Sequence, residues 1–443
     1  MPRWLVVKSV IDRSREGQRY VRPDAARRVV VSVSMPVLMR RTRGRHRIWV
    51  AVAAVVFQLA LGSVYSWSVF ARALREPGST FAFDATRATL PFSVAVGMVF
   101  VGTWCGGRLQ ERHGSRVTAM IGAGIYSAGI IACSAARDAA DLWVLILCYG
   151  VVSGVGLGIG YIVPTALLQR WFPDKRGLIT GISVGGFGLG PVLSAPVLAA
   201  LVHRYETVPT QAFLPMGLLC AAMTLPAAWL FVNPPASASA SVVVGRSVRP
   251  SFTGREALRS REWYLLATIL FASALAGISL VSVLAPAAHA ISGYDAGSAA
   301  ALTAAAGVFN GVGRPLAGAI SERAGRMRTF AVLLVVQGLA LLALPWAHDP
   351  ALFAVLVCAV SLANGGGFGT MPATAGDFFG VAHIGAVYGP MLVSWSLAGV
   401  IGPLTTAHLA SDGYTTAFVT VGVVTLAAVV LTAITRPPAP RTT

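Results

Sequence analysis

The amino-acid sequence predicts an all-α membrane protein with twelve transmembrane helices in two pseudo-symmetric halves of six, both termini being cytoplasmic. Three observations carry this prediction: a very apolar composition, an uneven distribution of charge between loops, and a motif that occurs twice. The 443 residues are 55% hydrophobic and only 12% charged, with a mean hydropathy of +0.70. Soluble domains carry about 25% charged residues, and disordered chains have low hydrophobicity. The composition therefore argues against a soluble enzyme and against a disordered chain.

Twelve apolar runs are long enough to cross a bilayer. A transmembrane helix needs about 20 predominantly apolar residues, and the loops between the runs are short. Each run is therefore predicted to be one helix. The predicted helices cover residues 48–71, 89–107, 117–136, 142–168, 178–202, 211–232, 263–288, 297–320, 328–347, 351–374, 386–409 and 414–434.

Basic residues are divided unequally between alternate loops. The loops after the even-numbered helices hold 14 Lys and Arg, against 5 after the odd-numbered helices; the two tails add 13 and 2 to the first side. Cytoplasmic loops carry such an excess of Lys and Arg, which places both termini in the cytoplasm. The net charge of +18 thus indicates membrane topology and not binding to nucleic acid. The Arg-, Ala- and Gly-rich composition favours a bacterial chain, hence an inner-membrane protein.

The chain before the first helix, residues 1–47, is a basic cytoplasmic tail. Residues 1–38 allow two interpretations. They form an arm drawn to anionic lipid, or translation starts at Met35 or Met39, which is the preferred interpretation.

A motif of the form Gly-x-x-x-Glu-Arg-x-Gly occurs twice, after the second and the eighth helix. The two copies are offset by 211 residues and consist of Gly107, Glu111, Arg112 and Gly114, and of Gly318, Glu322, Arg323 and Gly325. The repeat predicts an N-terminal half (48–232) and a C-terminal half (263–434), joined by a cytoplasmic linker (233–262) and followed by a short tail (435–443).

The two motif copies resemble the loop signatures of the major facilitator superfamily, which usually has Asp in place of Glu111 and Glu322. The resemblance covers about residues 48–434 and implies the major facilitator fold. A carboxylate beside a helix N-terminus and an arginine can latch neighbouring helix ends. The resemblance to the superfamily therefore implies that these eight motif residues govern conformational switching.

Four further segments resemble the oxalate/formate antiporter family, a branch close to the monocarboxylate transporters. They are Leu61–Phe70 in the first helix, Gly160–Pro164 with Arg170–Gly177 after the fourth, Gly365–Pro372 in the tenth and Gly385–Gly389 in the eleventh. The resemblance implies a secondary transporter of small carboxylates rather than an enzyme. No phosphate-binding loop of the Gly-x-x-x-x-Gly-Lys type is present, which agrees with a carrier that needs no ATP.

Arg314, in the middle of the eighth predicted helix, is the only ionised side chain predicted at membrane depth. Such an arginine costs at least ~2.5–3.5 kcal/mol to insert, so something must offset that cost. The guanidinium fork matches a carboxylate; the alternative is a structural arginine bonded to backbone carbonyls. In the family that the chain resembles, an arginine at this place binds the substrate carboxylate.

Four other residues are candidates for the substrate site. Asn310 lies one turn before Arg314 and either orients it, binds substrate or bonds to another helix. The similar position in animal monocarboxylate transporters is a proton-coupling Asp, a role that neutral Asn310 does not fit. The resemblance places Tyr65 and Phe368 in the cavity, with core packing as the alternative for both.

Trp395 marks a departure from the oxalate carriers, which have lysine about seven residues after the Tyr-Gly pair that begins at Tyr388. With Arg314 as the single cation, an oxalate dianion would keep one carboxylate unpaired in a low-dielectric cavity. Trp395 then forms an apolar wall, or packs against lipid. We therefore predict a monocarboxylate of the lactate, pyruvate or formate class, moved by alternating access with proton symport or anion exchange. The alternatives are an oxalate/formate-type antiporter and an efflux carrier for a drug or metabolite.

The expected partners follow from this function. They are a small carboxylate substrate, the lipid bilayer and, in symport, protons; we expect a monomer with no cofactor, no metal and no nucleic acid. His289 and His408 are candidate proton carriers beside the substrate carboxyl itself. The run Gly186–Pro191 resembles the glycine-proline motif of drug/proton antiporters and supports the efflux alternative.

Overall fold

The computed structural model describes the backbone of residues 37–234, 251–410 and 413–438. The predictions for residues 1–36, for most of the linker and for the end of the C-terminal tail lie outside the described residues. We call the helices before residue 235 the N-terminal helices and those after residue 250 the C-terminal helices.

All regular structure in the described residues is helical. The N-terminal helices are α1 (Val37–Leu61), α2 (Trp67–Arg75), α3 (Ala85–Ala132), α4 (Leu142–Leu145), α5 (Gly154–Trp171), α6 (Arg176–Arg204) and α7 (Phe213–Trp229). A 3₁₀ segment, Gly62–Ser66, joins α1 to α2, and a π-helical segment, Ile146–Ser153, joins α4 to α5.

The C-terminal helices begin with a short turn and continue with long apolar elements. They are α8 (Gly254–Ala257), α9 (Arg261–Ser292), α10 (Ala296–Ala324), α11 (Arg326–Ala343), α12 (Pro350–Phe379), α13 (Ile384–Met391), α14 (Val393–Leu409), α15 (Tyr414–Ala427) and α16 (Val429–Ile434).

Ten helical stretches in the described residues are long and apolar enough to cross a membrane, compared with twelve predicted. The second and third predicted helices lie within one continuous stretch of 50 residues, Thr86–Ala135, whose only non-helical backbone is at Gly114 (φ 80°, ψ 171°). The eighth predicted helix is α10, which has 29 residues but is rich in Ala and Gly and carries Arg314. Small and charged residues lower its hydropathy, so α10 is not among the ten. The count of twelve stays a prediction.

Several long helices begin at an aspartate that caps their first free N–H groups. Asp84 accepts from the Arg87 N–H at 2.8 Å, and Asp349 accepts from the Leu352 N–H at 2.8 Å. Asp295 caps α10 by accepting from the Ser298 N–H at 2.7 Å. These local signals explain why α3, α10 and α12 start where they do.

The N-terminal and C-terminal helices are bonded together near one end, which we call the motif end because both copies of the repeated motif lie there. Bonds between the two sets include Gln169 Nε2 to the Pro372 carbonyl (3.1 Å) and Arg176 Nη1 to Asp377 Oδ1 (3.2 Å). At the opposite end, bonds such as Thr80 N to the Thr207 carbonyl lie within one set. The structure is therefore closed at the motif end.

Candidate functional site

A small cavity lies between the N-terminal and C-terminal helices. Its free volume is about 20 Å³, which is room for about one water molecule. Arg314 supplies its cation, and most of the wall is aromatic or aliphatic. The lining consists of Tyr65, Val99, Leu157, Tyr161, Phe187, Arg314, Phe368, Leu392 and Trp395.

Arg314 is 4% exposed and is held by two groups. Its Nη1 donates to the Val184 carbonyl of α6 at 2.7 Å. Its Nε and Nη2 both donate to Oδ1 of Asn310, at 3.3 and 3.0 Å. A guanidinium has five N–H groups, so one on each terminal nitrogen is left over from these bonds. Arg314 is thus bonded to a backbone carbonyl and has N–H groups left at a cavity; the binding of a carboxylate stays a prediction.

Asn310 orients Arg314 and does not line the cavity. Its Nδ2 donates to the Ser361 carbonyl of α12 at 3.4 Å, which leaves Oδ1 to accept from the guanidinium. The asparagine therefore connects α10 to α12 and fixes the direction of the arginine.

Aromatic rings surround the guanidinium. Arg314 Cζ lies 6.0 Å from the ring centroid of Phe187 and 5.7 Å from that of Phe368, a range in which a cation is attracted to the ring face. Trp395 packs edge-on against Phe368 with centroids 6.4 Å apart. Trp395 is 7% exposed, so the alternative that it packs against lipid is wrong.

Tyr65 lies in the 3₁₀ segment Gly62–Ser66 and reaches the same cavity. Its ring packs edge-on against Phe187 at 5.2 Å, and its hydroxyl interacts with the Arg314 guanidinium. Two other tyrosines support this segment, since the Tyr126 hydroxyl donates to the Leu61 carbonyl at 3.3 Å and the Tyr149 hydroxyl to the Val64 carbonyl at 3.2 Å. The chain can depart from α-helical geometry here because these two carbonyls accept hydrogen bonds from tyrosine hydroxyls.

Glycines let the neighbouring helices approach Arg314 closely. A Cβ at Gly369 would lie 2.2 Å from the Arg314 carbonyl, and one at Gly181 would lie 2.4 Å from the same atom. A Cβ at Gly188 would lie 3.0 Å from Arg314 Cζ. The backbone of α10 at Arg314 is thus in direct contact with both α12 and α6.

Two tyrosines of the site were undervalued by the sequence analysis. Tyr161 lines the cavity but is not among the candidate residues of the sequence analysis. Tyr388 is fully buried, and its hydroxyl is close enough to that of Tyr161 for the two to interact. Both residues stood in the family-like strings, but only the packing of α5 against α13 brings their hydroxyls together.

Each glutamate of the repeated motif bonds to a residue in the other set of helices. Glu111 Oε1 lies 2.8 Å from Nδ1 of His383, the residue before α13. Glu322 Oε1 accepts from the Leu178 N–H in the first turn of α6 at 3.0 Å. Each glutamate thus reaches the start of a helix in the other set, where a carboxylate is favoured.

The glycines of the motif make close contacts and sharp turns. A Cβ at Gly107 would lie 2.3 Å from the Gly385 carbonyl, and one at Gly318 would lie 2.2 Å from the Gly177 carbonyl. Gly114 and Gly325 have positive φ angles of 80° and 94°, which glycine adopts without strain.

The arginines of the motif take no part in these contacts. Arg112 and Arg323 are exposed and form no ion pair among the described residues. Two other arginines pair at the motif end: Arg326 Nε lies 2.8 Å from Asp377 Oδ2, and Arg176 Nη1 lies 3.2 Å from Asp377 Oδ1.

The family model of the Major Facilitator Superfamily matches residues 48–389 and 271–443. The chain belongs to this superfamily. It is 27% identical over 380 residues to the oxalate:formate antiporter of Oxalobacter formigenes, covering 85% of this chain and 88% of that protein. It is 24% identical over 400 residues to monocarboxylate transporter 13 of Rattus norvegicus, covering 86% of each. Among solved structures, the major facilitator transporter FucP in the outward conformation aligns with a TM-score of 0.68 at 14% identity, covering 87% of this chain and 98% of that one.

These matches confirm the resemblance inferred from the sequence. The chain is a multi-pass membrane transporter of the major facilitator superfamily, homologous to an oxalate:formate antiporter and to monocarboxylate transporters. The solved structure is too distant in sequence to show more than the shared fold.

Two other predictions concerned the proton-carrier candidates His289 and His408 and the glycine run Gly186–Pro191. His289 and His408 are exposed and do not line the cavity. In the run Gly186–Pro191, a Cβ at Gly190 would lie 2.5 Å from the backbone of Gly62. Close packing of α6 against the first helix and Arg314 therefore accounts for these glycines.

Proposed function

We propose that this transporter carries a small monocarboxylate, and that Arg314 binds the carboxylate in the central cavity. One observation carries the proposal: a buried guanidinium without an ion pair lines a cavity between the two helix sets. The homologous oxalate:formate antiporter and monocarboxylate transporter, by their names, both act on small carboxylates, which supports the substrate class.

The charge of the site favours one carboxylate. Among the described residues Arg314 forms no ion pair, and the rest of the lining is neutral. A monocarboxylate would neutralise the site through the two spare N–H groups, with the Tyr65 hydroxyl as a further donor. A dicarboxylate would leave one charge buried and unpaired, which is costly.

The wall of the cavity favours a small substrate with an apolar side. Phe368 and Trp395 line the cavity from the C-terminal set, and the polar Tyr65 and Tyr161 line it from the N-terminal set. Since the free volume is only about 20 Å³, the structure represents a tightly closed state around the site. Even formate or lactate enters only when the helix sets move apart.

The topology that we propose is twelve transmembrane helices in an inner bacterial membrane, with both termini and the motif end in the cytoplasm. The halves 48–232 and 263–434 would rock about Arg314, as in other carriers built from repeats. The glutamates at positions 111 and 322 would hold the cytoplasmic side closed in the state described above.

The coupling that we propose follows from the lining. It contains no carboxyl and no imidazole group, so any proton that accompanies the substrate travels on the substrate carboxyl. Anion exchange is the other mode, because one bound monoanion replaces another without changing the charge of the site.

Proteoliposome uptake tests this function. The purified protein is assayed with labelled lactate, pyruvate, formate and oxalate, with an inward proton gradient or with unlabelled anion inside. We expect uptake of a monocarboxylate and its loss, by at least a hundredfold, in R314Q. R204Q removes the same charge from an exposed residue and should transport normally.

Each outcome has a distinct meaning. Accumulation with the gradient alone identifies symport, and uptake only into preloaded vesicles identifies exchange. Transport of oxalate in preference to every monocarboxylate would contradict the single-charge argument. Uptake of no carboxylate, or full activity of R314Q, would refute the proposal and favour efflux of a larger amphiphile.

A further inference from the structure

A groove on the outer surface of the C-terminal helices is not explained by transport of a carboxylate. It lies between α10, α11 and α12 and has a free volume of about 160 Å³, far larger than the central cavity. Its wall is apolar apart from Thr329 and the end at Arg328. The lining consists of Gly313, Leu316, Ala317, Ile320, Ala324, Arg328, Thr329, Val332, Leu333 and Leu362.

The groove opens to the surroundings of the protein and not to the substrate cavity. The side chains along its rim are exposed: Leu316 by 45%, Ile320 by 49% and Val332 by 61%. In a multi-pass membrane protein, apolar side chains with such exposure face hydrocarbon. The groove is therefore within reach of lipid acyl chains.

The helices beside the groove match their N-terminal counterparts at one position and differ at two. Under the 211-residue offset of the repeated motif, Gly313, Ala317 and Leu333 correspond to Gly102, Gly106 and Gly122. A Cβ would lie 2.2 Å from the Val155 carbonyl at Gly102 and 2.0 Å from the Leu362 carbonyl at Gly313, so the helix backbones are in contact there in both sets.

At the other two positions the C-terminal set carries the side chains of Ala317 and Leu333, which line the groove, where the N-terminal set has glycine. These two side chains are a feature of this half alone.

Arg328 gives the groove one charged end. It lies in the first turn of α11, at the motif end, is exposed, and forms no ion pair among the described residues. Arg326, two residues earlier, differs from it in forming an ion pair, with the Asp377 that it shares with Arg176. The equivalent of Arg328 in the N-terminal set is Val117, so this charge belongs to the C-terminal set alone.

We infer that this groove binds one anionic phospholipid, with an acyl chain between α10 and α11 and the phosphate at Arg328. An apolar channel that ends in a single exposed guanidinium at a helix end matches a long chain with an anionic head. A second protein copy fits less well, because a narrow groove accepts a chain and not a helix face.

Native mass spectrometry of the full chain in mild detergent tests the inference. The probes are dioleoyl phosphatidylglycerol, dioleoyl phosphatidylcholine and oleate, added at equal ratios. We expect one phosphatidylglycerol per monomer, bound more tightly than phosphatidylcholine or oleate. R328Q should weaken phosphatidylglycerol binding by roughly fivefold, the effect of one basic residue near a membrane surface.

Matched variants keep the test decisive. R259Q removes an exposed charge near the motif end outside the groove and should bind lipid as wild type does. V332W fills the groove from an exposed position, which the fold tolerates, and should expel the lipid. The inference would be overturned by equal binding of the two phospholipids, by tighter binding of oleate, or by a dimer that carries no lipid. It would also be overturned if R328Q bound phosphatidylglycerol as the wild type does, or if V332W still bound lipid.

Discussion

Replacing Trp395 by lysine should change the charge preference of the transporter. Trp395 lines the cavity and is 7% exposed; its ring lies 6.4 Å from that of Phe368, which in turn lies 5.7 Å from Arg314 Cζ. The new ammonium would therefore share the cavity with the guanidinium, within about 12 Å of it. A dianion such as oxalate could then bridge two cations.

The magnitude follows from the charges. At about 12 Å and an effective dielectric constant of about 20, the two cations repel by about 1.4 kcal/mol in the empty site. A carboxylate about 4 Å from the new ammonium gains about 4 kcal/mol under the same conditions. The repulsion acts with and without substrate and cancels, so the gain of about 4 kcal/mol sets an upper limit of roughly a thousandfold on the increase in oxalate binding relative to a monocarboxylate. The cost of desolvating the second carboxylate lowers this figure.

The assay is competition between oxalate and the transported monocarboxylate in proteoliposomes. W395F keeps an aromatic wall and should retain the wild-type ratio of apparent affinities, whereas W395K should shift it towards oxalate. If W395K folds, as judged by its thermal unfolding, and the ratio changes by less than about threefold, the charge of the site does not decide the substrate and the reasoning is wrong.

Two further predictions concern helix contacts. G369A places a Cβ 2.2 Å from the Arg314 carbonyl, so it should lower the free energy of unfolding by about 1–3 kcal/mol and impair transport. The control G124A, where nothing lies within 4 Å of the new Cβ, should do neither. Equal melting temperatures of G369A and the wild type in detergent would contradict this prediction. E111Q removes the charge that faces His383 at 2.8 Å, a partly exposed contact worth about 1 kcal/mol. It should make cysteines introduced at the motif end roughly fivefold more accessible to a thiol reagent, and unchanged labelling would show that the contact is no latch.

Much of the fold is predictable from local patterns. Helices such as α9 and α12 follow from long apolar runs, and their starts follow from capping residues such as Asp349. The exceptions have physical reasons: α10 is too rich in small residues to match a typical membrane span, and the motif turn at Gly114 is too short to separate two helices clearly.

The sequence predicts those features of the candidate site that depend on a single residue or on neighbours along one helix. The cost of an arginine at membrane depth is a property of one residue, so Arg314 stands out without any structure. The relation of Asn310 to Arg314 follows from helical spacing. The bond to Val184, 130 residues away, does not, because it depends on how α6 and α10 are rotated towards each other.

The sequence by itself determined the membrane class, the repeated motif and the charged anchor, because hydropathy, loop charge and helical periodicity act along the chain. Only the tertiary structure decided which groups share the cavity with Arg314, how the motif glutamates reach the opposite helix set, and that a groove exists beside α10. These features depend on the distance between helices. Gly102 and its counterpart Gly313 show this, since a Cβ there would lie 2.2 Å from the Val155 carbonyl and 2.0 Å from the Leu362 carbonyl. Each glycine meets a residue about 50 positions further along the chain, and only the packing of the helices identifies that residue.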